Sequence, residues 1–366
     1  MNYDEKYMRR AIQLAKSSPE DTHPNPNVGA VIVADGRIIG EGFHRRCGGP
    51  HAEVNAVNSV SDADRHLLRE ATIYVTLEPC SHYGKTPPCS KLIIDSGIPR
   101  VVIACGDPFE KVRGRGVAML RDAGVEVVEG VLEEDARTLN PRFFTTHTLG
   151  RPYITLKWAQ SADGYMDARR DTPDAVPFLF STPLDSTMVH RQRALHDAVL
   201  TTASTLLADN SRLDVRNWDG PNPAVIIIDR KGMIDTATAS RLNLFNAHDC
   251  RIFLFTPNNL TLPLKKANAA SIKKEVAQSG DLSEAKILQR ESLSEVIPVT
   301  PATSLHEILS TIYSKGITSI ITECGPRMLK ALIDAGLYDA VRVFTSPVTL
   351  GPERGASPAP AITPSI

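Results

Sequence analysis

Apolar positions along the first third of the chain change period several times, and each change predicts an element. Met8, Ala11, Ile12 and Ala15 recur at helical spacing, with Asp4 placed to cap the start. "VGAVIVA" and "RIIGEGF" flank Asp35-Gly36, a pair that predicts a two-residue hairpin turn. A helix is expected from His51 to about Val60. "ATIYVTL" predicts a strand ending at Glu78, and "CSKLIIDSG" a short helix with Gly97 at its end. "RVVIAC" predicts a strand, "GRGVAMLRDAG" a helix and "VEVVEG" a strand. Strands alternating with helices argue for a largely parallel sheet covered by helices on both faces.

"LEEDARTLNPRFFTTHTLGRP" predicts a terminal helix and then a linker, which puts a domain boundary near Gly150. Beyond it the pattern starts again with a strand at "YITLKWA". "TMVHRQRALHDAVL" predicts a helix running towards a strand at "AVLTTA". "PAVIIID" and "CRIFLFT" are buried-strand runs. "LHEILSTIYSKG", "ITSIITE", "PRMLKALIDAG" and "AVRVFTSPVTLG" predict helix, strand, helix and a last strand. This is a second α/β domain with no internal repeat of the first. The tail "GPERGASPAPAITPSI" is Pro-rich and predicted to be loosely ordered. A length of 366 residues also suits two domains.

Composition removes several function classes. Formal net charge is −1 and no long Lys/Arg run occurs, so there is no electrostatic footprint for nucleic acid. No apolar run reaches the ~18 residues of a membrane span. "MNYDEKYMRRAIQLAK" lacks the apolar centre of a signal peptide, so a cytoplasmic location is expected. In a reducing compartment the six cysteines point to metal binding or burial rather than to disulfides. Oligomeric state, a homo-oligomer included, is left open.

The chemistry concentrates in two stretches, "GGPHAEVNAV" and "LEPCSHYGKTPPC". His51 and Glu53, two residues apart, cannot share a helix flank but can share a site over the helix's N-terminal end. Cys89 opens a helix, where unpaired N–H groups should stabilise its thiolate, and Cys80 follows a strand and a Pro. One imidazole and two thiolates suit zinc, and three protein ligands leave a fourth position for water. Zinc would bring that water's pKa towards 7, and Glu53 would move its proton to a leaving amine. A closed structural zinc with a fourth ligand from His44, Cys47 or His82 is the rival reading, and it leaves Glu53 without a task. Cys105 and Cys250 read as packed apolar residues.

His-x-Glu followed by Pro-Cys and a second Cys is the signature of zinc deaminases. Here eight residues separate the cysteines. With "HPNPNVGAVIV", the stretch "PCSHYGKTPPC" resembles the deaminase half of the bifunctional riboflavin biosynthesis family. The resemblance implies a cytidine-deaminase-like α/β/α sandwich over residues 1–147. It implies zinc on His51, Cys80 and Cys89, with Glu53 catalytic. The expected substrate is a small phosphoribosylaminopyrimidine, 2,5-diamino-6-(5-phosphoribosylamino)pyrimidin-4(3H)-one, which loses an amino group.

No dinucleotide fingerprint appears in either half; "GRGVAM" at Gly114 and Gly116, in the first, is too sparse in glycine. At "SIITECGPRMLKALIDAG" a strand ends at Glu323, Gly325 allows close backbone approach, and Pro326 suits a first helical position. The N–H groups beyond could hold a phosphate. "LKWAQSADG", "LLADNSRLDVR" and "ITECGPRML" resemble, in order, motifs of that family's reductase half. The resemblance implies a dihydrofolate-reductase-like α/β domain over 151–366 that reduces ribosyl to ribityl with NADPH. It implies NADPH contacts at Ala159, Thr205, Asp209, Gly325, Pro326, Arg327, Met328, Leu329, Lys330 and Ala331. It implies substrate contacts at Arg193, Leu213, Arg216 and Glu323, the two arginines taking the phosphate. Ala162, Asn210-Ser211 and Cys324 depart from the family's usual Leu, Asp-Pro and Gly, and "DAVPFLFSTP" replaces its Trp-containing segment. The chain also stops soon after "TLG", where the family generally continues with more sheet. Two rivals stand beside this reading: a nucleobase or tRNA deaminase with an unrelated appendage, and a non-catalytic zinc-stabilised binding module.

Overall fold

The structure is a computed structural model describing residues 3–17, 22–83, 87–109, 112–170, 177–247, 250–260, 262 and 294–362. Gly84, Lys85 and Thr86 of the cysteine motif lie outside the described residues. So do Asp174, Ala175 and Val176 of "DAVPFLFSTP" and the last four residues of the tail, 363–366. The chain divides into two compact units, Met1–Arg151 and Pro152–Ile366.

The first unit carries α1 (Tyr3–Ala15), β1 (Gly29–Ala34), β2 (Arg37–Phe43), α2 (Ala52–Asn58), β3 (Thr72–Leu77), α3 (Cys89–Asp95), β4 (Arg100–Cys105), α4 (Arg115–Asp122) and β5 (Glu126–Glu129). The β1–β2 turn holds Asp35 at φ 49° and Gly36 at φ 71°, the left-handed pair a two-residue hairpin needs. The five-stranded sheet has the order β2-β1-β3-β4-β5. Here the expectation of a largely parallel sheet is only half right. β1 is antiparallel to both β2 and β3, and only β3-β4-β5 run parallel.

Helices lie on both faces because side chains alternate across each strand. Val31 and Val33 pack with Met8 and Ala11 of α1. Ala30 and Ile32 pack in the cluster that holds Ala56 of α2, Ile93 of α3 and Leu120 of α4. α1 sits so close to the sheet that a Cβ on Gly29 would lie 2.0 Å from the Ala11 carbonyl oxygen. Asp4 is not a cap: it lies inside α1, and its carboxylate accepts from Arg100 (2.9 and 2.8 Å) and from the Tyr74 hydroxyl (2.9 Å). The expected single terminal helix is two, α5 (Glu133–Arg137) and α6 (Pro141–Leu149). Pro141 cannot continue a helix but can begin one, and Gly150 closes α6 at φ 60°.

The second unit carries β6 (Tyr153–Gln160), α7 (Pro183–Ala194), β7 (Ala198–Thr202), α8 (Ala203–Asp209), β8 (Ala224–Ile228), α9 (Thr236–Arg241), α10 (Asn243–Ala247) and β9 (Ile252–Thr256). β10 (Ser294–Pro298), α11 (Leu305–Ser314), β11 (Ser319–Thr322), α12 (Pro326–Asp334), β12 (Ala340–Thr345) and α13 (Gly351–Arg354) complete it. The seven strands, ordered β10-β9-β8-β7-β11-β6-β12, pair in parallel throughout. Such strands are apolar on both faces, as the runs AVIII and IFLFT show. The last strand is shorter than expected, since it ends at Thr345 and residues from Gly351 turn helical.

This order creates a switch point. After β7 the chain moves outward to β8, whereas after β11 it crosses β6 to reach β12. The loops following β7 and β11 therefore part in opposite directions, the arrangement that in open α/β sheets puts ligand sites at the carboxyl ends of the strands.

Candidate active sites

In the first unit three elements deliver three donors. His51 is the N-cap residue of α2, extended at φ −70°, ψ 166°. Cys80 follows β3 and Pro79. Cys89 is the first residue of α3, with Pro88 as its N-cap. One donor atom from each lies within 4.8 Å of the others, and no further described residue joins the group. Cys80 Sγ stands 3.7 Å and Cys89 Sγ 3.3 Å from His51 Nδ1. A tetrahedral zinc on two sulfurs and a nitrogen sets donor separations of about 3.5–3.8 Å, so the three can hold that ion with little movement. His51 is exposed, Cys80 half-buried and Cys89 buried, so the group opens to solvent at its imidazole.

The thiols differ from the sequence expectation. The N–H of Cys89, first of the helix, points at Cys80 Sγ (3.3 Å). The helix start therefore supports the Cys80 thiolate, not that of Cys89. Cys80 is pulled down to about 4 by the Cys89 thiol, against burial, with His51 and that N–H adding to the pull. Cys89 is pushed up by donating to Cys80 and by burial. His51 is raised, chiefly by its bond to Cys80.

Glu53 lies in the first turn of α2 and is only 3% exposed. Burial pushes its carboxyl up, opposed by the charge of His51 and by a hydrogen bond with Cys89. A buried carboxyl beside three metal-type donors has the placement and raised proton affinity of an acid–base group.

The rival fourth ligands stay outside the group. His44 is 3% exposed, with Nδ1 3.0 Å from the Pro50 carbonyl oxygen and Nε2 3.2 Å from Asn25 Nδ2. Those partners suit a neutral ring carrying its proton on Nδ1 and accepting from Asn25, and burial lowers its pKa accordingly. The His44 and His51 rings meet edge to face at 5.5 Å between centroids. Sequence reasoning gave Asn25 and Glu78 no task. The motif "PNP" gave no sign that Asn25 would meet a histidine nineteen residues away. Cys105 and Cys250 are buried, and the Cys105 thiol donates to the Thr76 carbonyl oxygen at 3.2 Å.

In the second unit several of the expected NADPH residues gather at the switch point. β7 and β11 pair Leu200 with Thr322. The Thr202 hydroxyl caps α8 by accepting from Thr205 N–H. Thr205 Oγ1 lies 4.0 Å from where a Cβ on Gly325 would stand. Gly325 is the N-cap of α12 and Pro326 its first residue. Ala159 is near the carboxyl end of β6, paired with Phe344. Not every side chain is available. Leu329 is fully buried in the sheet's core, and Lys330 pairs with Asp334 at 2.8 Å. Asp209 is engaged by Arg170 (2.8 Å). Asn210 closes α8 in the left-handed region (φ 45°), a conformation Asn tolerates better than most residues.

The two expected phosphate arginines sit in different surroundings. Arg193 Nε and Nη2 donate to the two Glu323 oxygens (2.5 and 2.9 Å), and Nη1 donates to the Asp214 carbonyl oxygen (2.9 Å). Arg193 is 8% exposed and its fork is fully used inside the protein. Lys157 Nζ adds a second cation 3.5 Å from Glu323. Burial would raise the Glu323 carboxyl, but those two cations outweigh it and hold it at about 2. Arg216 differs. Its side chain is 50% exposed, with one nitrogen on Asp214 at 2.6 Å. Asp214 also holds Arg212 at 2.8 Å. Leu213 between them is buried and left-handed at φ 55°.

Comparison with known proteins adds the family. The cytidine and deoxycytidylate deaminase zinc-binding region matches residues 1–105, and the RibD C-terminal domain matches residues 152–362. Riboflavin biosynthesis protein RibD of Aquifex aeolicus is 36% identical over 349 residues, covering 95% of this chain and 88% of that protein. The protein of that name from Escherichia coli is 35% identical, covering 98% and 92%. Among solved structures, a diaminohydroxyphosphoribosylaminopyrimidine deaminase/5-amino-6-(5-phosphoribosylamino)uracil reductase from Thermotoga maritima is 36% identical with a TM-score of 0.71, covering 95% and 88%. Acinetobacter baumannii RibD is 31% identical with a TM-score of 0.74, covering 99% and 92%.

Proposed function

The chain belongs to the RibD family of bifunctional deaminase–reductases of riboflavin biosynthesis, and on that premise we propose how its own residues divide the work. The first unit takes 2,5-diamino-6-(5-phosphoribosylamino)pyrimidin-4(3H)-one and removes an amino group. His51 Nδ1, Cys80 Sγ and Cys89 Sγ would hold zinc there, and the ion would supply Lewis acidity for hydrolysis at neutral pH. Glu53 accepts the proton of the attacking water and returns it to the departing amine, as ammonia leaves. The observation that carries this reading is the group of three soft donors with a buried carboxyl two residues from one of them.

In the second unit NADPH would supply the hydride for reduction of the ribosyl group to ribityl. Backbone N–H groups at the start of α12, beside Thr205, bind and orient the cofactor's phosphates. Arg216 takes the substrate phosphate, aided by its exposed position. Arg193 is reassigned: it positions Glu323, which contacts the substrate. Incubating the protein with the diaminopyrimidine phosphate, with and without NADPH, tests both halves. Deaminated product should form in either case, and ribityl product only with NADPH. Absence of deaminated product from zinc-loaded protein refutes the first assignment.

No helix among the described residues is long and apolar enough to cross a membrane.

A further inference from the structure

Glu78, in "LEPC", lies two residues before Cys80 and is 5% exposed. No catalytic step uses it. Its Oε1 accepts from the N–H groups of Gly116 (3.0 Å) and Val117 (3.3 Å). Its Oε2 accepts from those of Gly114 (3.0 Å) and Asp107 (3.3 Å). One buried carboxylate thus binds four backbone donors at the beginning of α4 and in the loop leading to it. The bonds compensate the carboxylate's desolvation, and the same bonds lock the chain around it.

The lock reaches the cysteines through close packing. A Cβ on Gly116 would lie 2.0 Å from the Pro79 carbonyl oxygen and 3.1 Å from Ser90 Oγ. Ser90 Oγ contacts the carbonyl oxygens of Pro79 (3.2 Å) and Cys80 (3.0 Å), and Ser90 N–H donates to the Cys80 carbonyl oxygen (3.2 Å). α4 is therefore pressed on the Pro79 backbone where α3, through Ser90, also ties the Pro79-Cys80 segment. We infer that Glu78 is the positioning residue of the metal site: by pinning the start of α4 against Pro79, it fixes the loop carrying Cys80 and slows release of the ion. This rests on the reading of Cys80 as a zinc ligand.

The test compares full-length zinc-loaded variants by the rate of zinc transfer to a chromogenic chelator. Removal of groups that orient ligands typically costs ~10–100-fold in metal affinity. Glu78→Ala should release zinc ~10–100-fold faster than wild type. Glu78→Gln keeps one carbonyl oxygen for one pair of donors and should fall between. Val102→Ala, a core truncation on β4, controls for general loss of stability and should release zinc at the wild-type rate. If Glu78→Ala does not fold, Glu78→Gln against Val102→Ala decides the matter alone. Wild-type release from folded Glu78 variants, or equal acceleration by Val102→Ala, overturns the inference. Cys80→Ser separates the two readings. Zinc lost from Cys80→Ser but held normally by the Glu78 variants defeats only the positioning role. Zinc held normally by Cys80→Ser defeats the ligand assignment and the inference with it.

Discussion

The two units each gather charged or soft side chains into one cluster, and the clusters are built on opposite terms. His51, Cys80 and Cys89 bring three metal-type donors together, both sulfurs within 3.7 Å of one imidazole nitrogen, and no other described residue joins the group. Arg193, Glu323 and Lys157 satisfy one another well, with every nitrogen of the Arg193 guanidinium occupied. A cluster left incomplete is suited to an external ligand. A cluster closed on itself is suited to holding its members in place. The same residue type therefore carries different meaning in the second unit, where Arg193 is spent internally and Arg216, half exposed, retains capacity for a phosphate.

The sharpest way to break this contrast is in the open cluster. Purified protein should contain about one zinc per chain, and Cys80→Ser with Cys89→Ser should abolish it, as metal analysis will show. Glu53→Gln should keep the zinc and lose deamination by ~10²–10⁴-fold, with reduction of the purified intermediate unchanged. A near wild-type deamination rate would remove Glu53 from the mechanism.

The closed cluster should answer in stability first. Arg193→Ala leaves Glu323 buried without its main partner and should cost about 3–5 kcal/mol in denaturant unfolding of the second unit. Its pH dependence follows from sign. Glu323 is held at about 2, below its ordinary 4.5, so its native form prefers the ionised state. The stabilisation is complete above about 4.5 and is lost as pH falls towards 2. Wild type should lose stability across that window, and Arg193→Ala should lose less over the same range.

Smaller effects separate Arg216 from Arg193. Arg216→Lys keeps the charge and loses the planar fork, which should weaken kcat/KM for reduction by about tenfold or more. Zinc content, deamination and melting temperature should stay unchanged. Equal kcat/KM would make Arg216 a surface ion pair. Smallest of all, Lys330→Ala removes an exposed pair with Asp334 and should change stability by no more than about 0.5 kcal/mol. Any rise in KM for NADPH in that variant then reports contact with the cofactor.

The elements whose causes are local were legible in the sequence. The hairpin at Asp35-Gly36, the strand "RVVIAC" and the helix start at Pro326 follow from period, turn chemistry and the fixed φ of proline. The donors His51, Cys80 and Cys89 stood out because metal ligation demands particular side chains, whatever fold carries them. The direction of β1 against β3 did not follow, because that antiparallel pairing rests on contacts distant in sequence that periodicity does not encode. Asp4 looked like a cap for want of any sign of Arg100, ninety-six residues away. Arg193 looked free for the same reason, since Glu323 lies 130 residues further on. Residue types and local spacing determine which groups a chain can offer, because covalent geometry and side-chain chemistry act over a few residues. Only tertiary packing decides which of them are already partnered, because desolvation and charge pairing depend on neighbours in space.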